Sequence, residues 1–433
     1  MTATTPQKPF NIAICGGGIA GLALAIGLLH RNVPFHLYES AHAFAEVGAG
    51  VSFGPNSIRA MDLIDPKIRK GYERRATHNA SPDKKDIWFD FYAGMNCGLG
   101  KAGDYICAVR DGQKEHPVQS SIHRAAFLDE LVALMPKENV TFGKRVIEVQ
   151  ETSHGVRLHF EDGGSAEASA AIGCDGVKSK IRQFVLGDED PAVHPSFTKK
   201  YAYRGLIPMS KAVSLLGDEL ARNAVMYCGL HGHILTFPIE KGETMNVVAF
   251  RTKRDGKWED ERWVLPMDRE GMESDYEDWG ESVKKILSLM EKPDVWALFD
   301  YPPAKTYYKG RICLSGDGAH ASTPHQGAGA GMALEDAFVM SSLLGEVDTA
   351  EGIEQAFEAF DAVRRPRTQK LVTTSREAGE LYDCEEEGVG DDREAMRRNL
   401  GERYKWIWEK NSEEDLDMAM GMLKGVRGKA RLA

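Results

Sequence analysis

Three short stretches of this 433-residue chain set glycines beside carboxylates. Gly16-Gly17-Gly18-Ile19-Ala20-Gly21 fits the pattern GxGxxG. Gly16 permits a tight turn, Gly18 lets a pyrophosphate approach the backbone, and Gly21 lets a helix close on a strand. Glu39 ends a later apolar run, where its carboxylate can take the hydroxyls of an adenosine ribose. Asp175 and Gly176 follow another apolar run, with Ser179 and Arg182 beyond, and suit the hydroxyls of a nucleotide or cofactor chain. Asp317 follows Leu314-Ser315-Gly316 and is placed for a polyol. After it, Pro324-His325-Gln326-Gly327-Ala328-Gly329-Ala330-Gly331 aims backbone N–H groups, those of Gly329 and Ala330 among them, at one point. Negative charge developing there, as on a reduced flavin, is stabilised by such a helix start.

Each constellation needs a strand before it and a helix or turn after it. Asn11–Cys15, Ile19–His30 and Phe35–Glu39 read as strand, helix and strand, the βαβ unit that a dinucleotide fingerprint requires. Gly98, Gly100 and Gly103 also fit GxGxxG, but DYICAV after them reads as a strand, so that match is rejected. Residues 87–93 read as a strand and Ala125–Leu134 as an amphipathic helix. Val140–Gln150, Val156–Phe160 and Ala168–Gly173 read as further strands. From about 185 the texture changes to strand runs at 200–206, 224–228, 233–239 and 244–252, with a helix over 275–290. The first texture returns with strand Ile312–Ser315, helix Gly331–Leu344 and a helix over 351–370. Beyond Asp383 the acidic DCEEEGVGDD and its flanks read as surface helix and linker without chemistry.

A net charge of -11 argues against nucleic acid as a partner. No run approaches the ~20 apolar residues that span a bilayer, and no secretory signal opens the chain. Seven scattered cysteines without a CxxC pair point to reduced thiols in the cytoplasm and away from a metal site. Monomer and homodimer both remain open.

The three constellations, in this order, resemble the group A flavoprotein monooxygenases. The resemblance implies an α/β chain whose Rossmann-like FAD-binding domain carries an inserted, mostly antiparallel substrate sheet and a C-terminal helical region. The boundaries it suggests are 1–184 and 301–370 for the FAD lobe, with substrate strands near 85–120. Residues 185–300 would form the substrate sheet and 371–433 the helical tail. FAD would be held by Gly16, Gly18, Gly21, Glu39, Arg124, Asp175, Gly176 and Asp317. NADH or NADPH would donate electrons, and O2 would be co-substrate. EVGAGVSFGPNSIRA, SIHRAAFLDEL, AYRGL, GLHGHILTFP, NVVAF and PHQGAGAGMALEDAF are similar to the salicylate hydroxylases over most of the chain. One departure is GDGAH, where the family has GDAAH: glycine at 318 loosens the turn but removes no functional side chain.

Strand alternation places His233, Leu235 and Phe237 on one face, and Phe250, Thr252 and Arg254 on one face of the next strand. The resemblance implies that Met226, His233, Phe237, Phe250, Arg254 and His325 line a slot for a small aromatic acid. Arg204 on a neighbouring strand can grip a carboxylate or phenolate with its planar fork. The implied reaction forms a flavin C4a-hydroperoxide that attacks the ring carbon bearing the carboxylate, giving catechol and CO2 from salicylate. His325 is the candidate base for the phenol proton, since histidine titrates near neutral pH. Phenylalanine at 237, where some relatives of different substrate place tyrosine, favours salicylate. A related enzyme acting on another hydroxybenzoate or polyketide phenol would share every cofactor motif. A silent FAD-binding module would have lost glycines or Asp317, and all are present.

Overall fold

The computed structural model describes residues 7–44, 50–112, 118, 120–253 and 255–430. Strands Ile12–Cys15 and Ala170–Gly173 are buried along their whole length. Their Ile and Ala side chains leave no polar face, which is what a central parallel strand covered on both sides requires. They sit in the middle of a six-stranded sheet ordered Tyr308–Lys309, Ile312–Leu314, Ala170–Gly173, Ile12–Cys15, Phe35–Tyr38, Val140–Thr141. Neighbours run parallel except in the hairpin formed by the first two. Helices Ile19–His30 and Gly329–Glu346 pack together beside this sheet.

A second sheet has eight strands, in the order Val264–Pro266, Glu291–Asp300, Ser196–Pro208, Thr244–Thr252, Gly232–Ile239, Val225–Gly229, Ile87–Ala93, Tyr105–Arg110. All pairs are antiparallel but one, Ile87–Ala93 with Val225–Gly229. Side chains alternate across it. Tyr203, Val225, Tyr227, Ile234, Val247 and Ala249 face helices Met209–Ala221 and Glu281–Leu289. Ala202, Met226, Leu235, Phe237, Val248 and Phe250 face the other way, toward the glycine-rich helix and the C-terminal helices. The architecture is thus α/β: a Rossmann-like lobe, an inserted mostly antiparallel sheet and a helical C-terminal region.

The departures from expectation have local causes. The helix expected over 275–290 is two, Arg269–Asp275 and Glu281–Leu289. Tyr276 and Trp279 are buried between them, and the Tyr276 hydroxyl donates to the Phe250 carbonyl at 2.8 Å. Gly143, at φ +68°, breaks the strand expected over 140–150. The helix expected over 351–370 continues through Pro366 to Tyr382. After the rejected glycine motif at 98–103 comes strand Tyr105–Arg110. Among the described residues no helix is long and apolar enough to cross a membrane.

A buried ion cluster ties the glycine-rich helix to its neighbours. Glu335 and Asp336, both on Gly329–Glu346, meet Arg364 of helix Ile353–Tyr382 at 2.8 and 2.9 Å. Arg364 also reaches Asp415 at 3.0 Å on the last helix, and Glu335 takes Arg367 and Asn56. His320 closes the cluster through Asp336 at 2.7 Å. Burial works against ionising the two carboxylates, but the guanidinium groups and His320 outweigh it and hold both down to about 2. Below the pKa of the unfolded chain, near ~4, these groups bind protons in the unfolded state first. Their stabilisation is therefore complete above pH ~4 and drains away as pH falls toward about 2. Arg364→Met leaves Glu335 to Arg367 and Asp336 to His320 and removes the cation they share, and the expected loss is roughly 3–5 kcal/mol by denaturant titration at pH 7. The variant should also lose the steep fall in stability between pH ~4 and ~2 that the wild type shows.

Candidate active site

The two sheets meet over a cavity of about 1080 Å³. On the parallel side it is lined by Gly16, Gly18, Glu39, Asp175, Gly176 and Asp317, each at or just beyond the C-terminal end of a strand. Crevices at strand C-termini are where open α/β sheets take ligands. Gly16 has φ +111°, and a Cβ there would run into the Cys174 carbonyl. A Cβ on Gly21 would collide with the carbonyl of Gly16, so the turn closes only with glycine at both positions. Around Gly18 nothing lies within 4 Å of the place a Cβ would take, which leaves its backbone open to an approaching phosphate.

Carboxylates surround that opening. Glu39 accepts from the Gly17 N–H at 2.6 Å and the Ala41 N–H at 2.7 Å, which orients it at the cradle. Asp175 accepts from the Lys180 N–H at 2.8 Å through one oxygen, while its other oxygen is buried without a direct hydrogen bond among the described residues, with the Ser179 hydroxyl nearby. Burial raises its pKa. A buried carboxylate oxygen without a direct hydrogen bond calls for a hydroxyl donor, and the hydroxyls of a nucleotide cofactor supply one. Asp317 is exposed to the cavity at the start of the short helix Asp317–His320 that follows strand Ile312–Leu314. Helix Gly329–Glu346 starts at the cavity with no side-chain cap, so the N–H groups at Gly329 and Ala330 are directed there. Residue 318 lies inside a short helix, and a Cβ there would sit 3.1 Å from the Gly173 carbonyl and 3.3 Å from Asp175 Oδ1. Glycine at 318 therefore leaves room beside that oxygen.

The antiparallel sheet supplies the opposite wall. Ala202, Arg204, Leu235, Phe237, Val248, Phe250 and Trp296 line it, and Trp88, His325 and Arg124 border it. Arg204 lies 4.8 Å over the ring of Trp296, and among the described residues it meets no carboxylate. Burial, with Arg124 adding a like charge, lowers its pKa to about 10. His325 is buried, and among the described residues neither ring nitrogen makes a direct hydrogen bond, the Ser375 backbone being the polar group beside the ring. Burial, then the neighbouring His233 and Lys200, pushes its pKa well below the usual histidine value. Burial thus favours the neutral imidazole, whereas the sequence expectation was titration near neutral pH.

Two expected lining residues stand elsewhere. Met226 is fully buried between Leu235 and Phe91 on the flanking strands. His233 is fully buried behind Phe250, stacked on it with ring centroids 4.4 Å apart. Both share the sheet face of the cavity, but the C-terminal helices cover that end of the face. Arg254 lies outside the described residues. Asp383 draws the tail inward. It holds His233 Nδ1 at 2.6 Å and pairs with Lys200, which also bonds Glu385 at 3.0 Å. The acidic stretch is therefore packed on the sheet, because the buried Lys200 ammonium requires carboxylates. Gly379, one helical turn before Asp383, seats the His325 ring, with a hypothetical Cβ only 2.8 Å from it. The signal available was this i, i+4 spacing of Gly379 and Asp383, which places both on one helix face.

A dinucleotide cradle opening onto an apolar slot walled by an antiparallel sheet is the arrangement of an FAD-dependent oxidoreductase. Residues 284–375 match the family model for the FAD binding domain. Over 421 residues the chain is 43% identical to a 6-methylsalicylate 1-monooxygenase of Aspergillus terreus, covering 96% of this chain and 93% of that one. It is 38% identical over 437 residues to a salicylate hydroxylase of Pseudomonas putida, covering 98% and 97%. A solved salicylate hydroxylase substrate complex superposes with a TM-score of 0.85 at 38% identity, covering 95% of this chain and 98% of that one. The chain belongs to the salicylate hydroxylase family of FAD-dependent monooxygenases. FAD is its cofactor.

If Asp317 holds a hydroxyl of the FAD chain, Asp317→Ala removes a hydrogen bond to a charged group, worth roughly 1.5–3 kcal/mol. FAD affinity, measured by titrating apoprotein, is expected to fall by at least about tenfold with the fold intact.

Proposed function

We propose that this enzyme hydroxylates a 2-hydroxybenzoate of the salicylate type at the carbon bearing the carboxylate, consuming NAD(P)H and O2 and releasing CO2. The observation that carries this reading is Arg204, a guanidinium that meets no carboxylate among the described residues and stands beside the apolar side chains Leu235, Phe237, Val248 and Phe250. Such a cation is stabilised by an anionic ligand, and a small aromatic acid brings a carboxylate of matching shape. Relatives named 6-methylsalicylate 1-monooxygenase and salicylate hydroxylase support the same substrate class.

When bound, FAD supplies reduction by NAD(P)H and activation of O2. The chain's own groups do the rest. Gly16, Gly18 and Gly21 shape the turn that takes the pyrophosphate, with Arg124 adding positive charge beside the cavity. Glu39, Asp175 and Asp317 take hydroxyls. The uncapped start of Gly329–Glu346 stabilises negative charge on the reduced cofactor. Leu235, Phe237, Val248 and Phe250 hold the ring and exclude water. Arg204 grips the carboxylate. His325, neutral and with a free lone pair, accepts the phenol proton, and the resulting phenolate is the more electron-rich ring.

The test is NADH and NADPH oxidation by the FAD-loaded protein with and without salicylate and 6-methylsalicylate, with products separated by chromatography. One catechol and one CO2 per reduced nucleotide are expected from salicylate. Release of hydrogen peroxide alone from both acids would overturn the substrate class. Arg204→Leu should raise KM by about a hundredfold, as loss of a buried charged contact implies. His325→Asn should lower kcat by about 10²-fold or more while leaving FAD bound.

A further inference from the structure

Behind the slot lies a hydrogen-bonded chain that ends on His325's neighbour. The ionised Asp383 only accepts, so His233 must carry its proton on Nδ1, the nitrogen 2.6 Å from Oδ1. Its Nε2 is then a lone pair, fully buried and without a partner. Two polar rings flank it: Tyr382, at 5.1 Å between centroids, whose hydroxyl is engaged by Tyr404 and the His325 carbonyl, and His325, at 5.2 Å and tilted by 54°, whose two nitrogens have no direct hydrogen bond among the described residues. A hydrogen bond of about 3 Å between two imidazole nitrogens spans about 5 Å centroid to centroid, so a ring rotation suffices to join them.

Asp383 is held in turn by Lys200 and by the Thr252 hydroxyl at 3.2 Å. The one proton of the Thr252 hydroxyl can go instead to Glu385, at 2.9 Å, and Glu385 meets His231 at 2.9 Å, a histidine whose side chain is 42% exposed. One lysine faces two carboxylates here. With both inner histidines neutral, the cluster is one positive charge short.

We propose that Asp383 and His233 form a positioning relay that fixes the tautomer of His325 and takes up the proton His325 removes from the substrate. The step rests on the reading of His325 as the base. The phenol O–H breaks as the cavity-facing nitrogen of His325 gains a proton. The other nitrogen of His325 gives its proton to His233 Nε2. The positive charge ends on His233 against Asp383, and no electron moves. The groups that face this pair are Lys200, His231 and Thr252 from the sheet, Glu380, Tyr382 and Asp383 from the long helix, and Glu385 beyond it. Tyr382 is hydrogen-bonded to Tyr404. Lys200 keeps Asp383 ionised throughout, and this makes His233, and not the carboxylate, the proton's resting place.

The experiment uses the FAD-loaded full chain and 5-nitrosalicylate, a chromophoric phenol, and follows by absorbance the pH midpoint at which the bound probe becomes phenolate. Asp383→Asn should raise that midpoint by about one unit or more, with FAD retained. His325→Asn should raise it at least as far. A midpoint unmoved in D383N but raised in H325N would overturn the relay and leave the base in place. A midpoint unmoved in H325N would overturn the base and the relay together. Should D383N fail to fold, His233→Gln takes its place with the same expected rise. Imidazole nitrogen NMR of the wild-type holoenzyme reads the tautomer without any ligand: Nδ1–H on His233 is expected, and Nε2–H would overturn the proposal.

Discussion

The placement of one helix start governs this molecule, and a buried salt bridge secures it. Helix Gly329–Glu346 brings its uncapped N-terminus to the cavity. The helix carries two adjacent carboxylates, Glu335 and Asp336, into a region with no exposure to water. Ionised carboxylates cannot remain there without cations, so Arg364 must follow them in and must be held by Asp415 and the long helix. Charges of this kind add little net stability against an apolar core, but they permit few arrangements. That geometric demand keeps the helix start directed at the cavity.

The same economy of placement appears across the cavity. The parallel sheet presents carboxylates and bare backbone at the ends of its strands, and the antiparallel sheet presents apolar side chains with the guanidinium of Arg204. Each lobe alone has half of what a hydroxylase requires: one can hold a cofactor, the other can wall off a ring. The cavity exists because the second lobe is inserted into the first, so that the wall and the cradle are fastened at both ends. The C-terminal helices finish the enclosure by packing Trp408 and Tyr404 on Trp88 and by bringing Asp383 beneath His233.

Much of this was legible in the residues. GxGxxG with Glu39, the Asp175-Gly176 turn and the segment from Asp317 to Gly331 are local patterns, and local patterns survive without tertiary knowledge because turn chemistry and helix starts depend on neighbours in sequence. The strand faces were legible too, since alternation has a period of two whatever the sheet order. The depth of each residue on that face was not. Met226 and His233 carry the right parity yet lie behind the slot, because coverage of a sheet face is decided by elements far away in the chain. The acidic tail misled for the same reason: a run of carboxylates reads as solvated surface until a buried lysine is found to need it.

The sequence by itself determined the cofactor, the fold class and the family, because these rest on short motifs whose spacing is set by backbone geometry. Only the tertiary structure decided which side chains share the cavity, that burial favours the neutral form of His325, and that among the described residues Arg204 meets no carboxylate. Those properties are matters of desolvation and long-range pairing. Burial and partner charges shift a group's ionisation far more than its sequence neighbours do, and neither exists until the chain has folded.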